Sequence, residues 1–185
     1  MFSKLRKEYQ IYEKIRIFVI NQANLALHKA KQAIFCFQRE EISSGEKILN
    51  EAEKILSSLQ KKLNQALDLR FNGAYKAAVE EYVEAKLFWQ VLKFNKIKLI
   101  NKKWLRFDDY LAGLCDLTGE LVRRMIVLST NGRFDEVEKV KNIVADIVGE
   151  LTKINLTGYL RHKYDEAKRN LEKAEQIIYE IKTKR

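Results

Sequence analysis

The sequence has no proline, only seven glycines, two cysteines and two histidines in 185 residues, and each shortage removes a class of protein. Without proline and with so little glycine the chain is neither collagen-like nor proline-rich nor dominated by loops, and long helices are the form left to it. Cys36 and Cys115 show no CxxC spacing, which argues against a disulfide scaffold or zinc knuckle and suits a reduced, cytoplasmic interior. Both lie among small apolar residues and read as inert core thiols rather than nucleophiles. His28 and His162 have no glutamate three positions before them, and no HExxH occurs; di-iron bundles of the Glu-x-x-His type and zinc proteases are excluded. No two glycines lie closer than six positions, so there is no glycine-rich phosphate loop. No apolar run approaches the roughly 18 residues of a membrane span, and Met1 to Lys14 mix charges with apolar residues without a signal core. A soluble, unprocessed protein that does not meet the membrane is the expectation.

What is abundant is positive charge. Thirty-five Lys and Arg against 25 Asp and Glu give a formal charge of +10, which makes a polyanion such as nucleic acid a sensible partner. Helical periodicity runs almost from end to end, with breaks at a few places. The pattern predicts a first helix over about Lys4 to Glu40. Ser43 and Glu46 then have the spacing of a capping box for a second helix, striped by Ile48, Ala52, Ile55, Leu59, Leu63 and Ala66, which ends near Asn72-Gly73. A third helix is expected from about Tyr75 to Ile100. Asp108 is placed to cap a fourth, with Leu111, Leu114, Leu117, Leu121, Met125 and Leu128 facing the core and Asn131-Gly132 as its stop. A fifth runs from about Phe134 to Thr152. The last, after Thr157-Gly158, carries a heptad-like seam of Tyr164, Ala167, Leu171, Ala174, Ile178 and Ile181 that wants a partner helix. There is no repeat, linker or strand pattern, and residues 1–185 read as one all-α, single-domain bundle of about six helices.

Chemistry, if present, rests on carboxylates. At about 100° per residue, Glu81 and Glu84 share an arc with Ala74, Ala77, Ala78, Ala85, Phe88 and Leu92, where core residues belong. Burying unpaired carboxylates is unfavourable, so a cation should lie opposite, either a buried Lys or Arg or a metal ion. Asp116 and Glu120 stand i,i+4 on a second face of the fourth helix, flanked by Ala112, Gly113, Gly119 and Val127, residues small enough to admit another backbone or a ligand. Two such pairs on neighbouring helices suit Mg²⁺ or Mn²⁺ rather than zinc, and such ions serve phosphodiester chemistry; solvated acid faces with the same spacing are also common. Between the pairs runs an acid-free basic stretch, Lys93, Lys96, Lys98, Lys102, Lys103 and Arg106, interleaved with Phe94, Trp104 and Phe107. It reads either as a phosphate- and base-contacting patch or as a solvated face with core aromatics. Arg123 and Arg124 are separate candidates for steering a nucleic-acid backbone.

These residues also carry a resemblance. Asp109-Tyr110-Leu111-Ala112-Gly113-Leu114 followed by Asp116-Leu117-Thr118-Gly119-Glu120-Leu121 resembles the signature helix of the translin superfamily, in its translin-associated factor X branch. Glu81-Tyr82-Val83-Glu84-Ala85 is similar to that branch's other acidic motif, and Lys163-Tyr164-Asp165 with Tyr179 resembles its last helix. The likeness extends from about Glu80 onward, the first third matching in helical pattern and around Glu13-Lys14-Ile15-Arg16. The resemblance implies an all-α fold of about seven helices assembled into a closed homo-oligomer, an octamer or smaller barrel, with an interior that accommodates RNA. It further implies a Mg²⁺-dependent endoribonuclease acting on single-stranded RNA, with Mn²⁺ as a possible substitute. Glu81, Glu84, Asp116 and Glu120 fall at the catalytic metal-binding positions, and Arg16 at a basic RNA-contacting position of the first helix. Lys93, Lys96, Arg106, Arg123 and Arg124 complete the expected RNA contacts. The alternative from the same superfamily is a non-catalytic oligomer that holds single-stranded RNA or DNA. The compact, lysine-rich style suggests an archaeal homomer that both binds and cleaves, with the first and last helices as oligomer contacts.

Overall fold

The computed structural model describes residues 1–183 and contains six α-helices: α1 Phe2–Gln38, α2 Ile42–Leu63, α3 Gly73–Phe94, α4 Phe107–Thr130, α5 Phe134–Thr152 and α6 Gly158–Thr183. One 3-10 helix, Leu67–Phe71, precedes α3. No strand occurs among the described residues, so the all-α expectation holds. The chain forms two compact units. The first comprises Met1–Ala85 with Lys102–Leu105, and the second Lys86–Asn101 with the chain from Arg106 onward. Helix α3 is continuous through the change at Ala85.

In the first unit α1 and α2 form an antiparallel hairpin, and the three residues between them turn tightly because Glu40 takes a left-handed conformation with φ 63°. The seam on α1 is made of alanines, with Ala23, Ala26, Ala30 and Ala33 fully buried, against Leu49, Ala52, Leu56, Leu59 and Leu63 of α2. Small side chains on one helix let the leucines of the other close down, and each fully buried leucine contributes roughly 1.5–3 kcal/mol. Gly45 has a specific reason to be glycine, since a Cβ there would run into the buried Phe37 ring. At about 1.5 Å per residue the 37 residues of α1 span about 55 Å and the 22 of α2 about 33 Å. The excess lies at the N-terminus, where residues 1–11 are all exposed. The first tie beyond that stretch is Tyr12, whose hydroxyl donates to Asp68 at 2.7 Å.

In the second unit α4, α5 and α6 pack on one another. Leu117, Leu121, Met125 and Leu128 of α4 meet Val137, Val144, Ile147 and Leu151 of α5, and Ala167 and Ala174 of α6 complete the core. Thr118 and Asn170, both buried, tie α4 to α6 through an Asn170 amide that donates to the threonine oxygen at 2.9 Å. The α6 seam thus finds helices of its own chain at its alanines, while Leu171, Ile178 and Ile181 stay partly exposed.

Several local expectations are corrected. The Ser43/Glu46 capping box does not form: α2 begins at Ile42 behind Glu41, without a side-chain cap. At two positions its stripe sits one residue later, on Leu49 and Leu56 instead of Ile48 and Ile55, while Ala52, Leu59 and Leu63 are buried as expected. Asp108 is not the cap of α4; Arg106 holds that position, and Asp108 and Asp109 lie in the first turn, where carboxylates suit the positive end of the helix dipole. Leu111 and Leu114 are only half-buried. Helix α3 stops at Phe94 rather than Ile100 because Asn95 adopts φ 51°, a left-handed residue that asparagine tolerates and that ends a helix. Beyond it the Lys98 amide donates to the buried Gln90 side chain at 2.5 Å, which folds the strongly basic stretch back on the helix it leaves.

Candidate functional site

Helix α3 carries its acids where the wheel puts them. Tyr82, Val83, Ala85 and Phe88 are fully buried, and Glu84, on the same turns, is only 8% exposed. Glu81 is largely buried, with 19% of its side-chain surface exposed, and the Lys31 ammonium of α1 lies 3.9 Å from its Oε2. Glu80, which sequence reasoning passed over, is buried as deeply as Glu84. Tyr82 fixes the rotation of this part of α3: its hydroxyl donates at 2.5 Å to Glu53 of α2, and Lys102 binds the other oxygen of the same carboxylate. Burial first, and then the Glu53 bond and charge, hold the Tyr82 phenol above its usual range. Trp104 packs on the Tyr82 ring at 5.3 Å between centroids. Lys102 and Trp104, for which the sequence left open a nucleic-acid patch or a solvated basic face with core aromatics, are anchors that fasten residues 102–105 to α2 and α3.

On α4, Asp116 and Glu120 are half-buried on one side of the helix. Lys163 of α6 reaches Asp116 with its ammonium, 2.8 and 2.6 Å from the two carboxylate oxygens. Burial raises the Asp116 carboxyl above its ordinary value even against the pull of Lys163. For Lys163, burial works downward, but the hydrogen bond and charge of Asp116 overcome it and hold the ammonium above the usual lysine range. Glu120 has the Arg123 guanidinium 3.7 Å away. Gly119 lies where α4 and α6 approach, since a Cβ there would meet the Asn170 amide at 3.5 Å.

By kind, these donors suit a hard divalent cation: four carboxylates, no nitrogen, no sulfur. Asp116 already accepts a cationic group on both oxygens, which shows that its position favours positive charge. Among the described residues, however, no three His, Cys, Asp or Glu side chains form a group that could hold a metal ion. Each acid pair stands by itself on its own helix, two carboxylates on α3 and two on α4. The thiols stay outside the chemistry, with burial pushing Cys115 up to about 12 and raising Cys36 as well.

The cations divide by exposure. Arg16 is partly exposed and pairs with Glu13 at 3.2 Å, Arg106 pairs with Asp108 at 3.0 Å, and Arg123 and Lys96 are exposed. Lys93 stands 4.8 Å from the Trp89 ring centroid, with Lys86 at 4.5 Å from the same ring. Phe94 and Phe107 are exposed, as a stacking platform requires. Arg124 is a correction: it is 4% exposed, part of the buried interior, and does not reach a passing strand. The residues that sequence reasoning missed, Glu53 and the role of Lys163, act on partners 29 to 49 positions away, beyond any helical spacing.

An all-helical protein with carboxylate pairs on successive long helices and a surplus of surface cations is the class these features define. The chain belongs to the translin family, whose family model matches residues 4–185. It is 28% identical over 200 residues to mouse translin-associated protein X, a match covering 84% of this chain and 68% of the mouse protein. The Schizosaccharomyces pombe homolog is 27% identical over 154 residues, covering 79% of this chain and 61% of that one. An uncharacterized protein of Methanocaldococcus jannaschii is 30% identical over 131 residues, 57% of its length. Among solved structures, the AfC3PO–duplex RNA complex superposes with a TM-score of 0.91 at 20% identity, covering 100% of this chain and 97% of that chain. Apo-NeC3PO gives 0.87 at 22% identity, covering 96% and 95%. At such identities the superpositions establish the fold. No helix among the described residues is long and apolar enough to cross a membrane.

Proposed function

We propose that this protein is a Mg²⁺-dependent endoribonuclease of the translin family that binds and cleaves single-stranded RNA as a homo-oligomer, an octamer by analogy with the family. The observation that carries the reading is the withdrawal of two acid pairs from solvent, Glu81 with Glu84 and Asp116 with Glu120, in a chain of net charge +10. Carboxylates are rarely kept from water without a cation to meet. The duplex RNA in the AfC3PO complex, a structure of the same fold, supports RNA as the ligand class.

Glu81, Glu84, Asp116 and Glu120 would hold the ion, Mg²⁺ or in its place Mn²⁺; when bound it polarises a phosphoryl oxygen and lowers the pKa of water. The rest falls to this chain's own groups. Lys163 pulls Asp116 toward its ionised form against the burial that favours the neutral one. The Tyr82–Glu53 bond sets the rotation of α3 and with it the direction of Glu81 and Glu84. Arg16, Lys93, Lys96, Arg106 and Arg123 attract and orient phosphates, and because these contacts read no base edges, sequence preference is slight and single-stranded DNA binds as well.

Incubation of a labelled single-stranded RNA with the protein tests this. Products should require Mg²⁺ or Mn²⁺ and vanish with EDTA, and Glu84→Gln or Asp116→Asn should lower the rate by about a hundredfold or more with RNA affinity changed only a few-fold. The second reading, a translin-type oligomer that holds nucleic acid without cutting it, is favoured by the Lys163 ammonium, which already occupies both carboxylate oxygens of Asp116. It expects RNA binding indifferent to EDTA and no product.

A further inference from the structure

We propose that the exposed side of α1 around Phe35 is a nucleobase subsite, seating one base of a bound RNA next to Glu81; the proposal rests on the RNA-binding reading above. His28, Lys31, Gln32, Phe35 and Cys36 recur at helical spacing on a face of α1 separate from its buried alanine stripe. With Ile48 of α2 they line a shallow cavity of about 360 Å³, inside the roughly 300–1,000 Å³ range of small-molecule sites. Phe35 is 56% exposed, a flat apolar ring left in water near the end of the best-packed helix pair of its unit. The Arg39 guanidinium, held by Glu41 at 2.8 Å, stands 5.7 Å from the ring centroid.

The lining says what fits. It is an aromatic platform with a flexible amide and an imidazole at its edge and cations around it, and no acid lines the cavity. A base stacks on such a ring whatever its identity, Gln32 and His28 can meet its polar edge, and Lys31 and Arg39 complement the phosphates on either side. A second copy of this chain, equally basic, is a poorer match: a stable protein contact needs about 800 Å² per partner, far more than one ring and its rim. The place matters too. Lys31 Nζ lies 3.9 Å from Glu81 Oε2, so a nucleotide stacked on Phe35 has its phosphate led toward the α3 acids. Phe35 would then be a positioning residue that sets which linkage arrives there.

Two readouts test the subsite in EDTA, where a 12-nucleotide single-stranded RNA stays intact. By fluorescence anisotropy, Phe35→Ala should weaken binding about tenfold, the loss of one stacked base, while Phe35→Trp keeps wild-type affinity. Circular dichroism of both variants should match wild type, because the side chain is exposed. Bound RNA should also slow maleimide labelling of the partly exposed Cys36, with buried Cys115 silent in either state. The subsite falls if Phe35→Ala binds RNA as wild type does and Cys36 labels equally fast with RNA present, even though wild type binds the RNA. It also falls if Cys36 is shielded by raising protein concentration alone, the mark of a second copy on this face. Wild type that binds no RNA at any salt concentration takes down both the subsite and the RNA-binding reading.

Discussion

One ammonium, that of Lys163, engages both carboxylate oxygens of Asp116, at 2.8 and 2.6 Å, and so joins the last helix to the acid-bearing face of α4. The two side chains keep 21% and 24% of their surface, between the exposed pairs that contribute almost nothing and the buried pairs whose breakage is severe. Lys163→Met should therefore lower stability by about 1–3 kcal/mol, read as the urea midpoint at pH 7. The folded state holds the Lys163 proton more tightly than the unfolded chain does, so this contribution is complete below the ordinary lysine value of 10.5 and fades as pH climbs above it. The difference in stability between wild type and Lys163→Met should shrink in that alkaline window, and also in acid, where Asp116, its carboxyl raised by burial, takes up its proton.

Removing the lysine also leaves Asp116 without its resident positive charge. Added Mg²⁺ should then raise the melting temperature of Lys163→Met more than that of wild type, by mass action on the folded state. The double variant Lys163→Met with Asp116→Asn should lose that extra gain. Equal shifts in all three proteins would take Asp116 out of any ion site.

Glu53 accepts from Tyr82 and Lys102 together, and Trp104 rests on the Tyr82 ring. Glu53→Gln should lower stability by about 1.5–3 kcal/mol, the range for hydrogen bonds to a charged group. In a Trp89→Phe background, where Trp104 is the remaining tryptophan, its emission should shift to the red and its quenching by acrylamide should rise. Unchanged Trp104 emission would mean that residues 102–105 dock without the Glu53 tie.

Arg123 and Arg124 are neighbours in sequence with opposite fates. Arg123→Ala should weaken RNA binding and reduce the dependence of log affinity on log salt by about 0.7, the share of one phosphate contact on a single strand. Arg124→Met should leave that slope alone and cost about 3–5 kcal/mol of stability, since it strips a buried charge from the groups it meets.

Gly45→Ala tests the close approach of α1 and α2. The new methyl group runs into Phe37, which is fully buried, and overpacking of this kind costs about 1–3 kcal/mol. The gain in helix propensity from alanine, about 1 kcal/mol, does not offset it. A melting temperature at or above wild type would show that the hairpin opens to make room.

The limits of several helices were legible because their signals are local. Helix α5 matches its expected Phe134 to Thr152, and α4 stops at Thr130 before Asn131 and Gly132, the glycine at φ 71°. Ser43 and Asp108 misled for a common reason: both are competent capping residues, but the chain entered each helix earlier, with Glu41 and Arg106 at the cap. The end of α3 turned on Asn95, an ordinary helix resident by pattern whose left-handed backbone is decided by where the basic stretch must go next.

Periodicity by itself determined that this protein is helical, where most of its helices lie, and that Glu84 and its neighbours occupy a face meant for the interior, because a residue's side of a helix follows from its number and a rotation of about 100° per step. What the acids meet was decided only by folding. Lys163 finds Asp116, and Lys102 finds Glu53, across 47 and 49 positions. Such pairings have no local signature, since the charge of a residue says what it needs and only the packing of distant helices says which group supplies it.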